Sequence, residues 1–135
     1  KNSSFGIFEG PFNFPGDVPT RVTFSWTEGA LVWQKNSSVE PDLKITDGAL
    51  VNTNTEPRLE ATLTNPTLES VMNIELITFI FDENGNMVGA SKTFVDTLGP
   101  NASEPLIFTW PEPFQGRPTT FQIIPRILPN KSYLQ

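Results

Sequence analysis

Chemistry in this 135-residue chain would have to come from carboxylates, amides, hydroxyls and aromatic rings, because it contains no histidine and no cysteine. The Ser-His and Cys-His nucleophile systems therefore cannot be assembled, and a zinc ion would have to rely on carboxylates alone. Paired carboxylates would suit acid-base work on glycosides. The acidic residues instead fall singly in turns or at alternating strand positions, where a solvated face accounts for them, and neither Asp-Thr-Gly nor Asp-Ser-Gly occurs. Asp82, Asn84 and Asn86 offer oxygens at alternate positions, like the start of a calcium loop, but Gly85 precedes Asn86 and no Glu stands at the twelfth position. That stretch reads as an ordinary turn. No catalytic residue, metal ligand or cofactor site is expected, and the chain is expected not to be an enzyme.

Aromatic rings are the remaining resource. Trp33, Phe12 and Phe14 are candidates for stacking on sugar faces, alongside Trp26, Trp110 and Phe114, with Asp17 or Gln34 as hydrogen-bonding neighbours. Core packing is the competing use of such rings. For Trp110, which ends a strand just before Pro111, the expected place is over the open end of a sandwich. Four N-x-S/T sequons, at Asn2, Asn36, Asn101 and Asn130, are possible glycosylation points.

The elements that position these groups read as strands. Thirteen Pro and nine Gly are spread along nearly the whole chain, and Thr, Val, Ile and Phe dominate the apolar runs. From residue 43 onward such runs alternate with turn signals about every eight to twelve residues, the spacing of a sandwich or barrel. The spacing predicts strands over 43–51, 59–64, 71–81, 87–95, 105–110 and 119–127. Asp82 to Asn86 carries Asn84-Gly85, which tolerates the positive φ of a tight hairpin turn. In the second strand Leu59, Ala61 and Leu63 alternate with Glu60, Thr62 and Thr64, so one face is buried and one is wet. In the third, Ile74, Leu76 and Ile80 occupy one parity while Ile77, Phe79 and Phe81 occupy the other. Such a strand is central, or its outer face meets a partner.

Thr78-Phe79-Ile80-Phe81-Asp82, followed by Gly85-Asn86-Met87-Val88-Gly89 and Leu98-Gly99-Pro100-Asn101-Ala102-Ser103, resembles the F-x-L-Y-D type of extracytoplasmic immunoglobulin-like domain. Leu63-Thr64-Asn65-Pro66-Thr67 is similar to the strand ending in Asn that precedes that motif. The resemblance covers about 43–127, with Thr78 standing where the family has its first aromatic. It implies an immunoglobulin-like antiparallel β-sandwich of a bacterial surface or secreted protein, with no catalytic residues to transfer. The expected fold class is thus all-β, an immunoglobulin-like sandwich over 39–129, with an extra N-terminal strand segment over 1–38 and a tail over 130–135.

The N-terminal segment contains an echo of the domain's own end. Pro11-Phe12-Asn13-Phe14-Pro15-Gly16-Asp17-Val18-Pro19-Thr20-Arg21-Val22-Thr23-Phe24 parallels Pro113-Phe114-Gln115-Gly116-Arg117-Pro118-Thr119-Thr120-Phe121-Gln122-Ile123. The earlier copy is expected to be a closing loop and strand whose companions are absent. Ile7, Phe8, Val22, Phe24 and Trp26 then need an apolar surface, supplied by the main domain, by an upstream domain or by a neighbouring copy in a head-to-tail filament. They are the candidate partner contacts.

Fifteen Asp and Glu against nine Lys and Arg give a net charge of −6, which repels a phosphate backbone. The longest strongly apolar run, Leu76 to Phe81, is far short of the roughly 20 residues that span a bilayer. A first residue of Lys1 rather than Met is expected of a processed or trimmed chain. The expected partners are other protein domains, copies of itself or a glycan, outside the cytoplasm, with neither nucleic acid nor direct membrane insertion. The first functional expectation is a structural or adhesive module; the alternative is a carbohydrate-binding module.

Overall fold

The computed structural model describes residues 42–128, together with Phe8, Arg21, Thr23 and Ser25. The chain divides into two compact units, Lys1–Phe8 with Glu40–Gln135, and Glu9–Val39. In the second unit, Arg21, Thr23 and Ser25 are exposed and belong to no strand.

The described part of the first unit contains six strands and no helix: β1 (Lys44–Val51), β2 (Arg58–Thr64), β3 (Val71–Asp82), β4 (Met87–Leu98), β5 (Ser103–Thr109) and β6 (Pro118–Ile127). They form two three-stranded antiparallel sheets, β1-β2-β5 and β4-β3-β6, packed face to face as a β-sandwich. All six expected strands are present. β4 runs three residues further than expected because Thr97 and Leu98 continue the ladder opposite Met72 and Val71. β5 starts two residues early, with Pro105 inside it, and stops at Thr109: the Trp110 N–H still donates in register to the Pro57 carbonyl at 3.0 Å, but Pro57 has no N–H to return the bond.

Alternation decides which side chains face inward. β2 sends Leu59, Ala61 and Leu63 to the core, and β5 answers with Leu106 and Phe108, Leu59 lying opposite Phe108 in register. From the other sheet come Ile74, Leu76 and Ile80 of β3 with Val95 and Leu98 of β4, while Phe121 and Ile123 of β6 pack against the cluster. Val71 also points inward although its parity is opposite to that of Ile74. Asn73 between them has φ of 57°, a left-handed kink that Asn tolerates and that resets the alternation.

β3 is the central strand of its sheet and is apolar on both faces, in agreement with its sequence. Inward lies one polar residue, Thr78, fully buried, whose hydroxyl donates to the Gln122 carbonyl of β6 at 3.1 Å. A buried hydroxyl without that acceptor would destabilise the core. Outward lie Glu75, Ile77, Phe79 and Phe81. Ile77 is flanked in register by Lys92 and Ile124 and is buried even though it points away from the core. Glu75 sits between two cations, 3.7 Å from Lys92 Nζ and 3.3 Å from Arg126 Nε.

Candidate functional site

One end of the sandwich gathers three loops: the β1–β2 turn, the β3–β4 hairpin and the β5–β6 connection. The hairpin forms where Asn84-Gly85 was expected to form it. The Asp82 N–H donates to the Asn86 carbonyl at 2.9 Å, the Gly85 N–H donates to the Asp82 carbonyl at 3.1 Å, and Gly85 has φ of 80°. The Asp82 carboxylate closes the turn. Its Oδ1 accepts from the N–H groups of Asn84 (2.9 Å) and Asn86 (2.8 Å), and its Oδ2 accepts from Asn86 Nδ2 (3.1 Å). Hydrogen bonds from the Asn86 side chain and backbone, with those from Asn84, favour the charged form over desolvation and hold this carboxyl below its ordinary value. Both oxygens are engaged inside the turn, which is a structural use of the oxygens that resembled a calcium loop.

The β5–β6 connection begins at Trp110, whose indole N–H donates across to the Ala90 carbonyl of β4 at 3.1 Å. Its ring meets Phe114 edge-on, with centroids 5.1 Å apart at 66°. Beneath them lies Gly89, where a Cβ would stand 2.6 Å from the Phe114 ring. This is the cover over the open end that Trp110 was expected to provide. Two shallow grooves flank Pro113 and Phe114. One runs along Asp82, Asn86, Met87, Val88 and Glu112, the other along Thr53, Asn54, Arg117 and Pro118.

Asp82 and Glu112 are the carboxylates lining the first groove. An acid with a depressed pKa and saturated oxygens cannot serve as a general acid near neutrality. Among the described residues no group of three acidic side chains comes together in a way that would hold a metal ion. The indole N–H and much of the ring surface of the Trp110–Phe114 pair are spent on the fold, so this pair does not make a flat sugar platform.

The opposite end is tied by one side chain. Asn65, fully buried at the end of β2, donates through Nδ2 to the carbonyls of Glu69 (2.8 Å), Leu98 (3.2 Å) and Gly99 (2.9 Å). Its Oδ1 accepts from the N–H and hydroxyl of Thr67 at 3.1 and 2.7 Å, and its own N–H donates to Ala102. The two stretches around Asn65 and Leu98-Gly99 that carry the F-x-L-Y-D resemblance therefore meet in space.

Of the candidate contact residues, Phe8 is half-buried. Ile7, Val22, Phe24 and Trp26 lie outside the described residues, as do the sugar-stacking candidates Trp33, Phe12 and Phe14 and the sequons at Asn2, Asn36 and Asn130. Asn101 is exposed in the β4–β5 turn with φ of 53°. A feature without any motif stands on β4, where Lys92, Phe94 and Asp96 are exposed on the face away from the core. Its only trace in the sequence is their alternation with Ser91, Thr93 and Val95.

No family model matches the chain, and no curated protein matches it either. No helix among the described residues is long and apolar enough to cross a membrane. Among solved structures the chain is similar to a DUF1425 family member from Shewanella sp. pv-4, with a TM-score of 0.52 and 14% identity, over 73% of this chain and 89% of that one. At that identity the likeness establishes a shared β fold and nothing about activity.

Proposed function

We propose that this chain is a non-catalytic module working outside the cytoplasm, with a structural or adhesive role exercised through strand pairing and apolar burial against other protein domains or copies of itself. The observation that carries this reading is the outward face of the β4-β3-β6 sheet. Phe79 and Phe81 on the central strand, Ile124 on β6 and Phe94 on β4 share the face opposite the core, and Phe94 is 47% exposed. A one-sided antiparallel sheet ordinarily presents polar residues there. Phe79, Phe81 and Ile124 are half-buried there and Ile77 is buried, so Phe94 is the exposed apolar contact point of that face.

The remaining side-chain chemistry supports the same reading. Asp82 is engaged by its turn, Glu75 by two cations and Trp110 by Ala90, each in a structural capacity. The F-x-L-Y-D resemblance supports a place on a cell surface or in secreted material, and the echo between residues 11–24 and 113–123 supports a repeat or filament subunit. The N-terminal segment is the proposed contact element. In it Val22, Phe24 and Trp26 alternate with Arg21, Thr23 and Ser25, and those three polar residues are exposed.

The test is the double variant Phe24→Asp/Trp26→Asp, followed by size exclusion with light scattering. The wild-type chain should form head-to-tail species whose mass grows with concentration. The variant should stop at a dimer or below while its sandwich still unfolds cooperatively. Unchanged higher assemblies in the variant, or a wild-type chain that never exceeds a dimer, would overturn the reading.

A further inference from the structure

A three-stranded sheet has two edges, and each edge is a template for an added strand unless the sequence spoils it. Three of the four edges among the described residues are spoiled. β1 is interrupted between Thr46 and Ala49 by a bulge in which Asp47 takes φ of 55°. β5 contains Pro105, and β6 contains Pro118 and Pro125, each lacking the N–H that a neighbouring strand would need. β4 differs. From Gly89 to Leu98 it holds one register against β3, skipping only the step opposite Asn73, with no proline and no residue of positive φ, and of its backbone groups the Ala90 carbonyl is taken by the Trp110 indole.

Along that edge the outward side chains are Lys92, Phe94 and Asp96, all exposed. Lys92 reaches Glu75 within its own chain, while Asp96 has no ion-pair partner among the described residues. An edge lysine ordinarily blocks pairing, since two copies meeting at Lys92 would set ammonium against ammonium. The spacing of the opposite charges removes that block in one arrangement. In a two-fold antiparallel pair, residue i lies opposite residue j with i and j equidistant from the axis. An axis at Phe94 sets Lys92 beside the partner's Asp96 and Asp96 beside the partner's Lys92, with the two Phe94 rings between them. Axes at Lys92, Thr93 or Val95 bring neither charge pair together.

We propose that the β4 edge is a self-recognition surface, on which a second copy of this chain pairs antiparallel about Phe94 and joins the two sheets into one of six strands. On the core side the same register sets Thr93 beside the partner's Val95, so small and β-branched side chains meet over the joint. This contact uses none of the N-terminal residues and stands apart from the head-to-tail reading above.

The test uses sedimentation equilibrium of the full chain in the Phe24→Asp/Trp26→Asp background, where head-to-tail growth is removed. That parent should dimerise, more weakly as salt rises. Asp96→Lys should raise the dissociation constant by about tenfold or more, because it sets lysines opposite each other at two positions. Lys92→Asp should do the same with carboxylates. Mixing the two variants in equal amounts restores both opposite-charge pairs, so a heterodimer of near-parental affinity should form. Lys92→Asp also loses the Glu75 contact; Asp96→Lys disturbs no ion pair among the described residues and carries the test by itself if the other variant misfolds. The proposal is overturned if the parent stays monomeric at about 1 mM, if Asp96→Lys dimerises as tightly as the parent, or if two folded single variants fail to pair. Slow hydrogen exchange of the β4 edge amides in dilute monomer would also overturn it, since the edge would then be covered within one chain.

Discussion

Asn65 Nδ2 donates to the Leu98 carbonyl at 3.2 Å, which binds the end of β2 in one sheet to the end of β4 in the other. The same amide nitrogen reaches the Glu69 and Gly99 carbonyls, so one buried side chain fixes both loops at this end of the sandwich.

Asn65→Ala leaves the Glu69, Leu98 and Gly99 carbonyls without this donor, the Leu98 one in the buried interior. A buried group left unpaired costs about 1–3 kcal/mol. Partial relaxation of the loops should hold the total to about 3 kcal/mol, read as a lower urea midpoint. Asn65→Asp is the sharper probe. It keeps the shape and the Thr67 bonds but turns a donor into an acceptor facing three carbonyls. At neutral pH it should be at least as damaging as alanine, and part of the loss should return at low pH, when the carboxyl carries a proton to donate. Equal stability of Asn65→Asp and wild type at pH 7 would show that the amide is not the tie described.

The Asp82 turn makes a separate claim about acid. Its hydrogen bonds from Asn86 and Asn84 place the folded-state pKa below that of the unfolded chain. Its stabilising contribution is therefore present above the unfolded value, about 3.9, and is lost as pH falls through the folded value. Asp82→Asn removes the titration and puts an amide opposite Asn86 Nδ2. The stability difference between wild type and variant should be constant around neutrality and shrink below about pH 4. Chemical denaturation across that range reads it directly, and a difference independent of pH would refute the assignment.

Residues with a local signature are the ones that could be read without coordinates. Leu59, Ala61 and Leu63 announce a one-sided strand by alternation, Asn84-Gly85 announces its turn, and the two apolar parities of β3 announce a central strand. Interactions between sheets carry no such periodicity. Asn65 is recognisable as the residue that closes the second strand, just beyond Thr64, but its three carbonyl acceptors come from residues as far as Gly99. Lys92, Phe94 and Asp96 look like any wet strand face until their strand is known to lie at an edge. Pro105 argues for a strand beginning there, and only the register opposite Thr62 shows that the ladder tolerates it.

The contact between Gly48 and Phe121 is the least legible of all and yields the most specific expectation. Gly48 lies in the β1 bulge and Phe121 in β6 of the other sheet, yet a Cβ at position 48 would collide with Cζ of the ring. Glycine is required here by close approach, since its backbone does not adopt positive φ. Gly48→Ala forces the half-buried Phe121 ring to swing aside and should cost about 1 kcal/mol. Phe121→Leu shortens the side chain and leaves a void, which should cost about 1 kcal/mol or somewhat more. Together the two should cost less than their sum, because the added methyl enters space the ring has vacated. A double-mutant cycle by urea unfolding checks this. Simple additivity of the two would mean that the sheets do not close on each other at this pair.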